Sequence, residues 1–232
     1  MTMYSRDYRR EASLACKLNS GRLALITLVY VAITGAFSIS VDTENMALLI
    51  VGFGLSMVGI FITGPLQYGY VNTIIINYEN GTPTVGDLFS GFKYFWKLFV
   101  LCLLIGVYTL LWSLLFIIPG IIKSISYSRA IYIFYENPEL SVSECIKRSK
   151  ELMDGYKWTY FKLMLSYLGW IILCGLTLGI LTLWVNPKML TADYILYKVT
   201  KGEEIESLEE SVKNCPEKRL AQKALAYEVV KD

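Results

Sequence analysis

Long apolar runs alternate with short charged stretches along the chain, and several runs have the length of membrane-crossing helices rather than of strands or surface helices. Six candidate crossings emerge: Leu23 to Ser40, Met46 to about Val71, Tyr94 to Ile118, Gly120 to Tyr135, Trp158 to Cys174 and Leu176 to Tyr197. The third and fourth are nearly contiguous. A single helix over both would be roughly 60 Å long, about twice a bilayer core, so a turn at Pro119-Gly120 is expected to separate them. The pattern predicts an all-α polytopic membrane protein with six transmembrane helices arranged as three hairpins.

Amphipathic segments precede the hairpins. Thr84 with Asp87 and Ser141 with Glu144 have the form of capping boxes, which predict helix starts. After the second, Val142, Cys145, Ile146, Ser149, Leu152 and Met153 make one helical stripe. Glu144, Lys147, Arg148, Lys150, Glu151 and Asp154 lie opposite, and Gly155 is a natural stop. Val85, Leu88, Phe89 and Phe92 repeat the spacing, and Tyr8, Ala12, Ala15 and Leu18 give a weaker version. Each hairpin is therefore expected to follow a cytosolic interfacial amphipathic helix.

Self-comparison supports the repetition. Tyr78-Glu79-Asn80 aligns with Tyr135-Glu136-Asn137, Thr84 to Phe89 with Ser141 to Ile146, and, at a larger offset, Trp96-Lys97-Leu98 with Phe161-Lys162-Leu163. The third hairpin ends similarly, in Tyr194-Ile-Leu-Tyr197. The expected organisation is a membrane domain over 1–198, with repeat units of about 4–80, 82–137 and 138–198, then a charged cytosolic tail over 199–232. In that tail Glu203, Glu204, Glu206, Glu209 and Glu210 face away from Ile205, Leu208 and Val212 if it is helical.

Basic residues orient the chain. Arg6, Arg9, Arg10, Lys17 and Arg22 precede the first crossing. Lys93 and Lys97 precede the third, Lys147, Arg148, Lys150 and Lys157 the fifth, and Lys198 and Lys201 follow the sixth. The remaining connections, Val41 to Asn45, the Pro119 turn and Gly175 to Gly179, hold no basic residue. Both termini are thus expected in the cytosol. Reading Leu23 to Ser40 as a cleaved signal would spoil the even count, and the Asn80-Gly81-Thr82 sequon falls on the cytosolic side, where it has no use.

Composition agrees: 54% of residues are hydrophobic, only 18% are charged, and the formal net charge of +2 is too small to suggest nucleic acid. The mean hydropathy is +0.45. Cys16, Cys102, Cys145, Cys174 and Cys215 are scattered and never form a CxxC pair, so reduced thiols are expected rather than a disulfide framework or a metal site. With no histidine, imidazole metal ligation and Ser-His-Asp catalysis are excluded. No cofactor or metal is expected.

Charges inside apolar runs are costly and are the default functional candidates. They are Lys123 and Arg129 in the fourth crossing and Lys188 and Asp193 in the sixth. Arg129 and Asp193 lie at depths that differ by about 3 Å, so an ion pair between the helices is geometrically allowed. Lys188 and Asp193 share no helix face. Snorkelling to an interface is the competing explanation for Lys123, Arg129 and Asp193, and Lys188, nearest mid-depth, fits it least. Lys93, Lys97, Lys147, Arg148 and Lys150 form an interfacial basic set that either anchors the helices or binds anionic lipid or a partner.

The stretches Gly91 to Lys97, Leu111 to Lys123 with its IIPGIIK, Asn137-Pro-Glu-Leu-Ser141 and Trp184-Val-Asn-Pro187 resemble an uncharacterised bacterial integral-membrane family, domain of unknown function 975. The Pro-Gly turn and the Ile146-to-Gly155 helix also resemble the membrane domain attached to some glycerophosphodiester phosphodiesterases. That wider resemblance implies architecture and lipid proximity, but no catalytic residue. The functional expectation is a nonenzymatic component of the bacterial plasma membrane that assists transport or export of a small molecule, peptide or lipid; the alternative is a lipid-interacting scaffold. Expected partners are the lipid bilayer and a membrane-protein partner or a second copy of the chain, with no nucleic acid.

Overall fold

The computed structural model describes residues 5–17, 19–37, 46–79, 81–115, 117–177 and 179–203. Leu18 of the first stripe, the Val41-to-Asn45 link and the tail from Glu204 onward, with Cys215, lie outside the described residues. The described chain is all-helical: α1 Ser5–Lys17, α2 Ser20–Ala36, α3 Met46–Glu79, a 3-10 helix Val85–Tyr94, α4 Phe95–Leu115, α5 Ile117–Tyr127, α6 Ala130–Glu136, α7 Val142–Leu152, α8 Lys157–Leu176 and α9 Thr182–Thr200.

Neighbouring helices pair in sequence. Tyr30 of α2 stacks on Tyr70 of α3 at 4.6 Å, and the Thr27 and Tyr70 hydroxyls lie 2.9 Å apart. Tyr108 of α4 meets Tyr127 of α5 at 6.0 Å, and the Tyr167 hydroxyl of α8 donates to the Lys188 carbonyl of α9 over 3.4 Å. Among the described residues, Val85–Leu114 and Lys157–Leu176 are long and apolar enough to cross a membrane, or three spans if the bent pair α1 and α2 counts as one. Both are mostly exposed along their apolar length. Leu103, Val107, Leu110, Leu111 and Leu114 on α4, and Leu165, Leu168, Ile171, Ile172 and Leu176 on α8, are exposed. Apolar surface of that extent on a soluble monomer would be an interaction site or an aggregation hazard.

The fourth apolar run departs from a single helix. Pro119 and Gly120 do not form the turn; they sit in the first turn of α5, where proline's missing N–H is not needed. Gly120 still marks the close approach to α4, because a Cβ there would strike Ser113. The run then breaks at Ser128-Arg129, dividing it into α5 and α6. Ser149 of α7 satisfies the break. Its hydroxyl donates to the Ser126 carbonyl at 2.8 Å and accepts the Arg129 N–H at 3.1 Å. Irregular backbone inside an apolar body persists only where protein replaces the lost bonds.

The amphipathic segments fare unequally. For α7, the Ser141 N–H donates to the Glu144 carboxylate at 3.0 Å and the Glu144 N–H to the Ser141 hydroxyl at 3.3 Å. The Ser141 hydroxyl, which also donates to that carboxylate at 2.7 Å, and the Ser141 N–H hold the exposed Glu144 carboxyl below its ordinary pKa. Cys145, Ile146, Ser149 and Met153 are buried, and Gly155 ends the segment with φ +81°. The segment from Val85 is a 3-10 helix, whose period of three turns Leu88 and Gly91 inward and leaves Phe89 and Phe92 exposed. The helical stripe expected there is thus half corrected. The weaker stripe at the start of the chain lies on α1 with Tyr8, Ala12 and Ala15 buried, and Tyr8 and Ala12 pack in a cluster with Leu163 and Tyr167 of α8 and Ala192, Ile195 and Leu196 of α9.

Candidate functional site

α9 carries most of the polar chemistry in the core. Val185, Thr191, Ala192 and Tyr194 to Tyr197 are all buried, and it touches α1, α2, α3 and α8. Three polar groupings lie along it.

The first joins Arg129 to Asp193. The break between α5 and α6 places Arg129 at the head of α6 with its side chain wholly buried. Nη2 lies 2.7 Å from Asp193 Oδ1, and Nη1 donates to the Asp193 carbonyl at 2.9 Å. The Tyr132 hydroxyl donates to Asp193 Oδ2 at 3.0 Å, and Arg129 Nε donates to the Met153 sulfur at 3.4 Å. The guanidinium also sits 4.8 Å from the Tyr160 ring centre, close enough for a cation–π contact. Snorkelling is therefore the wrong account of Arg129: its charge is neutralised inside the protein by Asp193 of α9, and its remaining contacts come from Tyr132 of α6, Met153 just after α7 and Tyr160 of α8.

The second grouping escaped the sequence reading. The repeated Tyr-Glu-Asn triplets bring Glu79 and Glu136 to successive turns of α9. Glu79 accepts from the Tyr194 hydroxyl at 2.7 Å and pairs with Lys198 at 3.2 Å. Glu136 accepts from the Tyr197 hydroxyl at 2.9 Å and pairs with Lys201 at 2.9 Å. Each carboxylate thus meets a tyrosine and the lysine four residues later. The signal lay in the repeat itself, read there as a mark of duplication instead of as two equivalent contacts with one helix.

Lys188 heads the third grouping. It does not meet Asp193, whose partners are Arg129 and Tyr132. Instead it lines a cavity of about 360 Å³ between α1, the start of α2 and α9, together with Lys17, Ser13, Ser20 and apolar residues that include Leu14 and Trp184. Among the described residues neither Lys188 nor Lys17 has an ion-pair partner. Cys16, also on the wall, lies 3.3 Å from the Thr191 hydroxyl as a free, buried thiol.

The remaining candidates are dispersed. Lys123 Nζ lies 4.7 Å from the Trp112 ring centre across the pair α4 and α5. Lys97 donates to the Pro138 carbonyl at 2.8 Å, Lys93 lies 5.4 Å from the Tyr94 ring and Lys150 5.3 Å from the Tyr127 ring. Lys147 and Arg148 are exposed on the outer face of α7. The structure does not gather the interfacial basic residues into one site. No group of three or more Cys, Asp and Glu able to hold a metal occurs among the described residues.

The segment containing the α5–α6 break, α7 and the Arg129–Asp193 pair is also where the chain matches known sequences. Residues 114–204 match a family described as a protein of unknown function, DUF975. No curated protein and no solved structure matches the chain. The family match takes in Lys123, Arg129, Lys188 and Asp193, and leaves out Lys17, Lys93 and Lys97.

Proposed function

We propose that the protein is a nonenzymatic, multi-pass component of the bacterial plasma membrane that assists the transport or export of an amphiphilic molecule. In this reading the six apolar runs cross as three hairpins with both termini in the cytosol, and the break at Ser128-Arg129 interrupts the fourth crossing. The exposed apolar faces of α4 and α8 support a lipid surround. The observation that carries the functional part is Lys188. Arg129 and Asp193 neutralise each other, whereas Lys188 faces a cavity without an ion-pair partner among the described residues.

Complementation tests it. A strain lacking the protein is challenged with a panel of amphiphilic toxins and antibiotics. Wild-type protein should restore tolerance, and Lys188→Gln made at the same level should not. Full restoration by Lys188→Gln, or a deletion strain that matches its parent across the panel, would sink the transport reading.

The second reading, a lipid-organising scaffold, draws on the exposed basic face of α7. If it is right, reversing Lys147, Arg148 and Lys150 to glutamate should abolish enrichment of anionic lipid in the shell co-extracted with the protein. Unchanged enrichment counts against it.

A further inference from the structure

We propose that the cavity between α1, α2 and α9 is a binding site for the phosphate headgroup of an anionic lipid, held between Lys17 and Lys188. The inference rests on the transport reading for its biological meaning and names the ligand class of that site.

Two lysines without carboxylate partners among the described residues, Lys17 and Lys188, line one cavity. Ser13 and Ser20 line the same cavity. Like charges brought together repel unless an anion lies between them, and two lysines with hydroxyl donors suit phosphate, which offers several acceptor oxygens and more than one direction of approach. The start of α2 adds to this. Its cap residue Asn19 makes no side-chain bond to the helix; its side-chain NH2 donates to the Asn77 side-chain oxygen at 3.1 Å and to the Gly81 carbonyl. The first-turn N–H groups beside Ser20 are thus left without that cap, and the positive end of the helix dipole adds to the two lysines.

Volume and wall chemistry select a lipid over a free ion. At about 360 Å³ the cavity is at the small end of ligand pockets, roomy enough for a headgroup and its glycerol but not for acyl chains. The rest of the wall is apolar, from Leu14, Leu23, Leu183 and Trp184, and Trp184 remains 44% exposed on the outer surface. Chains can leave along that side into the bilayer. A soluble phosphate would gain nothing from it.

The protein in nanodiscs of zwitterionic phosphatidylcholine, doped with phosphatidic acid, gives the test by native mass spectrometry. Wild type should retain one phosphatidic acid through delipidation. Lys17→Gln/Lys188→Gln should lose it with about a tenfold weaker affinity, as expected for removing charge-assisted contacts. The Lys17→Arg/Lys188→Arg protein should keep it, which excludes misfolding as the cause, and so should Lys147→Gln/Lys150→Gln. Equal retention in wild type and the glutamine double variant would overturn the site. Displacement of a bound species by inorganic phosphate, with no lipid retained, would overturn the lipid source. Loss of lipid binding in Lys188→Gln with tolerance fully restored would remove the transport reading while leaving the site. The reverse result would remove the ligand and leave transport.

Discussion

Replacing Arg129 by methionine should destabilise the protein by about 3–5 kcal/mol. The loss comes from what is left behind. Asp193 would keep its hydrogen bond from Tyr132 but lose the guanidinium 2.7 Å away, stranding a carboxylate between α6 and α9. Asp193→Ala strands the opposite charge and should cost a similar amount, since Arg129 is fully buried and cannot turn outward to water. The double variant Arg129→Met/Asp193→Ala should recover much of the loss, because removing both charges also removes their desolvation penalty. Thermal unfolding of the three variants in one detergent checks this. Single variants as stable as wild type, or a double variant whose loss equals the sum of the singles, would show that the pair is not a closed structural unit. The transport reading is insulated from that result, since it rests on Lys188.

Hydrophobic length and helix-start chemistry made much of the helical layout legible. The Ser141 and Glu144 cap, the buried stripe of α7 and the Gly155 stop follow from local rules, and the structure places all three as those rules require. So does the pairing of Arg129 with Asp193, which needed only matched depth on two helices. The break beside Arg129 was not legible. It depends on Ser149, twenty residues away, supplying both a donor and an acceptor to the opened turn, and serine carries no signal of that use in a sequence. The 3-10 period of Val85–Tyr94 was hidden for a related reason: its apolar positions fit an α stripe too, and only contact with α3 decides which face turns in. Burial of α9 was hidden as well, because its apolar residues lie on every side of the helix and such a helix can face lipid or protein alike. The two glutamate contacts show the same limit from another side. A duplicated triplet reveals that two segments are alike, and α9, with Tyr194, Tyr197, Lys198 and Lys201 at matching spacings, is where that likeness acquires a partner.

Alanine at Gly91 or Gly69 should be far more damaging than one added methyl group suggests. At Gly91 a Cβ would overlap the Pro65 carbonyl of α3, and at Gly69 it would overlap the Leu88 carbonyl of the 3-10 helix. The two glycines therefore hold the same two elements in backbone contact from opposite sides, as small residues do where helices pack without water to drive them together. In both places the obstructing atoms belong to the main chain, so no side-chain rotation relieves the clash and the elements must separate. Overpacking of this kind costs about 1–3 kcal/mol or more, a fall of roughly 2–12 °C in the unfolding midpoint of a chain this size. Gly106 in α4 and Gly169 in α8 are the controls: a Cβ at either meets nothing within 4 Å, so alanine there should be neutral or gain up to about 1 kcal/mol in helix propensity. Gly91→Ala matching Gly106→Ala in thermal stability would mean that the 3-10 helix can ride away from α3 freely. Because the 3-10 helix runs directly into α4, a wedge at Gly91 should also displace Lys97 from the Pro138 carbonyl, a contact now 2.8 Å long. Cross-linking between cysteines placed at 97 and 138 should then fall in Gly91→Ala while staying unchanged in Gly106→Ala.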